Sequence, residues 1–288
     1  MTKGKNIIVA NPSDPLTQEL LKEILGPVEQ KLAEIEKGTL ESKCRFCGKV
    51  GQLTEEHTPS KKAFNFMDAI SFGMNEEETL KLRQPVWEAE QLQGGSRVKS
   101  LCSGCNNKTG AWYNSEYLRF VRSCRDIAQE KAAGTTVSFS KTFRPSRVIK
   151  QGLATLTATC QSGLLEVHPE IGDLLRNRDQ KGALKNAKVY VYLRANKGFI
   201  RSTGIATVCD LKKKRARLLA EFSAWPVGWL LVLDEEPFEG AADVTSWLEL
   251  DYNERRTIEL KLPCHLAGTP YPADFRDPQS VYGKSANK

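Results

Sequence analysis

The sequence predicts an α+β chain of two unlike parts: a stapled hairpin-and-helix unit over residues 44–135, then an antiparallel sheet carrying a helix over 136–288. Three observations predict it. Two Cys-x-x-Cys pairs, Cys44/Cys47 and Cys102/Cys105, stand 54 residues apart and bracket a strand-like stretch. After the second pair, apolar residues recur at helical spacing over 106–134. Past that point the pattern changes to short alternating runs with short links, as successive antiparallel strands require.

The elements follow in order. Residues 1–13 read as a loose arm, and 14–37 as an amphipathic helix, with Leu16, Leu20, Leu21, Ile24, Leu25, Val28, Leu32 and Ile35 three or four apart. Ser13 or Asp14 can cap it, Gly38 can stop it, and Gly26-Pro27 kinks it; together 1–43 form an N-terminal helical arm. GQLTEEH, ending at His57, reads as a strand, and 97–101 as the strand that returns beside it. Residues 61–96 are an insertion between the two, with an acidic helix candidate over 76–82. The helix over 106–134 presents Trp112, Tyr117, Phe120, Val121, Cys124 and Ile127 on one face and has Gly134 as its stop. A strand over 137–143 and a helix over 146–160 come next, then strands over 188–195, 200–209, 216–224 and 228–234, with the basic run 212–215 at a turn. A short helix over 242–248, a strand over 256–262 and a polar tail complete the chain.

At 288 residues the chain can bury a sizeable core, and 40% hydrophobic with 27% charged residues is an ordinary globular balance. A net charge of +7 and a pI near 8.9 favour a polyanionic partner. No apolar run has transmembrane length and MTKGKN is no signal peptide, so a cytoplasmic chain with reduced thiols and no membrane partner is expected. In that setting Cys44, Cys47, Cys102 and Cys105 read as a closed tetrahedral site for a structural zinc ion, with Gly48 and Gly104 in the knuckle turns. Cys124, Cys160, Cys209 and Cys264 have no such spacing and read as buried thiols. His168 and His265 read as loop or surface residues, and AWPVGW (224–229) as sheet core.

Glu56-His57 precedes Thr58-Pro59, and the residue before a proline is biased to extended geometry, which holds His57 at a strand end. Asn106 follows the last cysteine and opens the helix. A carboxylate, an imidazole and a carboxamide gathered beside a zinc staple suit a hard cation with an adjacent base.

Glu56-His57-Thr58-Pro59 followed by CSGCNNKTG (102–110) resembles the HNH endonuclease family, in its zinc-stapled subgroup with two CxxC knuckles. The resemblance covers about residues 40–120. It implies a ββα-metal fold and metal-dependent hydrolysis of phosphodiester bonds in DNA, with RNA not excluded. By position, Glu56 and Asn106 match the ligands of a catalytic Mg2+ or Mn2+, His57 the general base, and the four cysteines the structural zinc. Lys61, Lys62 and Lys108 are candidate contacts to the nucleic acid. The family's setting suits restriction, anti-phage defence or a mobile element, with a homodimer or a regulatory protein partner as further expectations.

The family usually carries a middle asparagine on the returning strand. That position falls near Arg97 here, with Ser96, Ser100 or Gln93 as stand-ins, or the backbone alone. The competing reading of the residues is a zinc-ribbon-like nucleic-acid-binding or protein-interaction module without catalysis, which leaves Glu56-His57 and Asn106 unexplained.

Overall fold

A computed structural model describes residues 43–66, 68–74, 87–160, 163–197, 199–210, 214–269 and 271–276. The helix candidates at 14–37 and 76–82 lie outside the described residues, as do 211–213 of the basic turn. The described chain is mixed α+β.

Its first part is a pair of short antiparallel strands, β1 (Thr54–His57) and β4 (Arg97–Leu101). Between them come a 3-10 turn (Lys61–Ala63) and a second hairpin, β2 (Ala69–Met74) with β3 (Trp87–Leu92). Helix α1 (Ser103–Ala128) leaves β4 at once. It starts three residues before the predicted position and ends six before Gly134, which occupies a turn at φ +84° instead of stopping the helix.

The second part is a sheet in the order β5 (Thr136–Phe143), β11 (Arg256–His265), β6 (Lys188–Arg194), β9 (Val227–Val232), β8 (Arg215–Ala224), β7 (Arg201–Asp210), with the two-residue β10 (Ala242–Asp243) also on β6. Every pairing is antiparallel except β11 with β6, which is parallel over its last two residues. The predicted helix at 242–248 is β10 followed by a 3-10 turn, Thr245–Glu249. Helix α2 (Pro145–Thr159) crosses one face, and the short α3 (Leu164–Val167) and α4 (Pro169–Arg176) follow.

Both faces of the central strands are covered, so β6 and β9 are almost wholly buried, with the charged Lys188 and Arg194 at the two ends of β6. On the first face Gly152 of α2 lets the helix come down onto Trp229, since a Cβ there would lie 2.7 Å from the indole. The apolar stripe of α1 packs on the same core: the Phe120 ring lies 5.5 Å from Phe139, 5.5 Å from Phe143 and 6.1 Å from Trp229. One buried cluster therefore runs from Phe46 and Leu101 across 135/136 into the sheet.

The second face is capped by the segment after β11, which is not a free polar tail as far as residue 276. Ala273 and Phe275 pack over Tyr192, and Glu221 accepts from the Tyr192 hydroxyl, from Arg201 at 3.0 Å and from the Ala273 N–H. Arg201 and Glu221 are both fully enclosed, so their charges compensate each other.

Of the two histidines read as loop or surface residues, His168 does lie in a loop, between α3 and α4, whereas His265 ends β11. His168 is buried with Nδ1 3.1 Å from Glu170, and His265 stacks on Phe275 at 4.0 Å. Cys124, Cys160 and Cys264 are buried thiols; the Cys209 side chain lies outside the described set.

Candidate functional site

The first knuckle is a tight turn in which the Gly48 N–H donates to the Cys44 carbonyl (2.8 Å) and the Cys44 N–H to the Lys49 carbonyl (2.9 Å). Gly48 has φ +71°, a conformation that a residue with a Cβ adopts only at a cost. Gly104, expected to play the same part in the second knuckle, does not: it lies in the first turn of α1 with no positive φ. Cys102 is the extended N-cap residue of that helix, its N–H 3.3 Å from the Cys44 sulfur.

The four sulfurs all lie within 4.8 Å of one another. Thiolates about 2.3 Å from a tetrahedral zinc stand about 3.8 Å apart. Cys47 Sγ and Cys102 Sγ are 3.8 Å apart, so the donor set and its spacing fit such an ion. Cys102 and Cys105 also stand at the positive end of α1, which favours thiolates. The shared titration reflects this crowding. A hydrogen bond from Cys105 holds the Cys44 thiol down at about 4, while Cys105 is pushed up by that same bond and Cys47 by burial.

Above the staple, β1 places its residues on alternate sides. Glu56 faces inward, where burial pushes its carboxyl up to about 7 against the Ser100 hydroxyl (3.5 Å) and the nearby Arg45 cation. Asn106, one helical turn past Cys102, donates from Nδ2 to the Thr54 hydroxyl at 3.3 Å. Thr54 lies two residues before Glu56 on β1, with a register irregularity between Thr54 and Glu55. The carboxylate and carboxamide each hold a hydroxyl partner at the hairpin–helix junction, Ser100 and Thr54.

His57 ends the strand on the opposite side, directly across from Arg97 on β4. Burial, then the Arg97 and Lys61 cations, hold its imidazole below the ordinary range, and the Asn65 backbone and Glu55 oppose them. Its Nδ1 is buried without a well-formed hydrogen bond. Arg97 itself is half exposed and only loosely paired with Glu55, at 3.7 Å. Lys62 is exposed beside Lys61, and Lys108 leans along α1 to within 6.0 Å of the Trp112 ring.

Comparison with protein families, with curated proteins and with solved structures finds no match. The site is therefore read from its own geometry.

The residue that secures this geometry was not among the candidates. Ser96 contributes only its backbone to the loop after His57, and Ser100 goes to Glu56. Asn65, which is 2% exposed, holds this loop instead. Its Nδ2 donates to the Pro59 carbonyl (2.7 Å) and the Ser96 carbonyl (2.8 Å), and its Oδ1 accepts from the Ser96 N–H (2.7 Å). One carboxamide thus ties the segment leaving β1 to the segment entering β4. Gly95 permits the approach, because a Cβ there would lie 2.3 Å from the Asn65 carbonyl oxygen. The sequence signal was faint: a lone asparagine between Phe64 and Phe66, distant in sequence from the position where a middle asparagine is expected.

Proposed function

We propose that the protein is a metal-dependent endonuclease of the HNH type, hydrolysing phosphodiester bonds of nucleic acid, with DNA as the first substrate to test. The observation that carries this reading is the strand end at His57. An imidazole held below its ordinary range stands near two cations, directly after a carboxylate in the strand, and the strand's first residue meets the carboxamide at the helix start. A neutral imidazole there can take the proton of an attacking water. Arg97 and Lys61 beside it would meet a phosphate, a feature shared with a nucleic-acid-binding zinc ribbon, whereas the adjacent base is not.

Glu56 and Asn106 would hold the divalent cation. Bound there, Mg2+ or Mn2+ would neutralise charge on the phosphate and on the departing oxygen. Ionisation of the buried Glu56 would be favoured by such a cation. Zinc at the four cysteines would fix the start of α1 against the hairpin and take no part in the chemistry. Among the described residues no helix is long and apolar enough to cross a membrane.

The test is nicking of supercoiled plasmid in Mg2+ or Mn2+. His57→Ala should keep its zinc and lower cleavage by about two to four powers of ten, the usual worth of a positioned base. High Mn2+ should partly restore Glu56→Ala and Asn106→Ala but not His57→Ala. Wild-type rates from His57→Ala would end this assignment.

A further inference from the structure

The second half of the chain makes a contact with the hairpin that the nuclease reading leaves unexplained. Trp225 begins the turn between β8 and β9 and is only 6% exposed. Phe64, next to Asn65, meets it edge-on with ring centroids 5.3 Å apart and planes at 65°. Cations close the stack at both ends: the Arg125 guanidinium lies 5.3 Å from the Phe64 ring and Lys197 Nζ 4.4 Å from the Trp225 ring. Such cation–aromatic contacts favour one arrangement of the rings over its alternatives.

Phe64 also has φ +68° and ψ 12°, the left-handed region, where a bulky aromatic residue is uncommon. A conformation of that kind persists only where its surroundings over-determine it. Here the surroundings are the Trp225 face on one side and the three Asn65 hydrogen bonds on the other.

We propose that the sheet positions the base: Trp225 seats Phe64, Phe64 fixes the backbone turn into Asn65, and Asn65 locks the loop beside His57. Trp225, Phe64 and Asn65 are then positioning residues, and the β8–β9 turn acts on the site without touching substrate. The catalytic consequence rests on the nuclease reading; the structural coupling does not.

Two readouts test it on the full chain. In plasmid nicking, Trp225→Leu and Asn65→Ala should each lower kcat roughly ten- to a hundredfold, as expected of a displacement near 1 Å at the reacting group. KM should hardly change, and Trp225→Phe should restore most of the rate. The second readout needs no activity. The chain has three histidines, so the ring resonance of His57 is assigned by its loss in His57→Ala. At fixed pH it should move in Trp225→Leu and Asn65→Ala while those of His168 and His265 stay in place.

If Trp225→Leu does not fold, Phe64→Leu makes the same test without disturbing the sheet. A wild-type kcat with an unmoved His57 resonance would overturn the proposal, and so would a loss of rate carried entirely by KM. Should the wild type cut no nucleic acid, the nuclease reading falls, and the resonance alone decides the coupling: movement upholds it, and an unmoved signal refutes it.

Discussion

Removing a zinc ion from the four cysteines should destabilise the whole described body as one unit, not the knuckle region alone. The reason is the way the first knuckle is seated. Phe46, between Cys44 and Cys47, is 2% exposed and belongs to the same buried cluster as the sheet. Arg176 of α4 donates to the Phe46 carbonyl at 2.6 Å, Arg45 reaches the Ala158 carbonyl at the end of α2, and Lys43 pairs with Glu166 of α3. Three elements of the second half therefore hold the metal-binding turn.

An ion bound only by the folded state, and present at a thousand times its dissociation constant, contributes about 4 kcal/mol. For a chain of this size each kcal/mol moves the midpoint by roughly 2–4 °C. Chelation should then lower Tm by about 8–16 °C in a single transition, and Cys47→Ser should do the same while lowering the bound zinc. The assay is thermal melting followed by near-UV and far-UV circular dichroism, with zinc quantified on the same samples. Two separate steps, with the upper one at the wild-type midpoint, would refute the shared-core argument. An unchanged midpoint in a protein that has lost its metal would refute the staple.

Two further outcomes follow from charges in the sheet half. Arg201→Met strands Glu221 without its guanidinium in an enclosed site, which should cost about 3–5 kcal/mol. The double variant Arg201→Met/Glu221→Gln should recover part of that in denaturant melts; a single variant within about 1 kcal/mol of wild type would sink the idea. Lys150 is fully enclosed, its ammonium donating to the carbonyls of Asn177, Arg178 and Gln180, and burial lowers its pKa from 10.5 to about 8. Between those values the unfolded chain holds the proton that the folded chain has lost, so this residue makes stability rise with pH from about 8 to 10.5. The difference in stability between wild type and Lys150→Met should grow over that window, and a constant difference would refute the titration.

Much of the frame was legible because periodicity reports local geometry. The alternation in VSFSKTF gave β5, and the apolar runs near 188–234 gave β6, β8 and β9 within a residue or two. The cysteine spacing correctly brought four sulfurs together. What periodicity cannot report is which surface covers a buried face. The stripe Tyr117, Phe120, Cys124 reads equally well as a local core or as a lid on a sheet, and here it covers the sheet. Asn65 escaped notice for a related reason. Its partners at Pro59 and Ser96 are paired through tertiary contact, and no local pattern encodes a hydrogen bond across an insertion. His168 likewise has no local pattern to mark it as buried, yet it is 4% exposed, with Glu170 at its Nδ1.

These observations bear on why the candidate site sits where it does. Within 43–102 the described buried apolar residues are few: Cys44, Phe46, Leu53, Ala63 and Leu101. A unit of that size with so small a core needs a staple, a partner surface or both. A metal ion on the four cysteines would supply one at the start of α1, and the sheet supplies the other along its remaining turns. A helix of 26 residues is about 39 Å long at 1.5 Å per residue, so α1 works as a rigid bar whose polar start carries Asn106, held on Thr54. Its far end is fixed between Phe139, Phe143 and Trp247. Fixing a bar at both ends leaves the residues beside it few ways to move. α1 also meets the segment after His57, through Asn114 at 3.4 Å from the Ser60 hydroxyl and Arg125 beside the Phe64 ring, while Asn65 and Trp225 secure that segment from the other side.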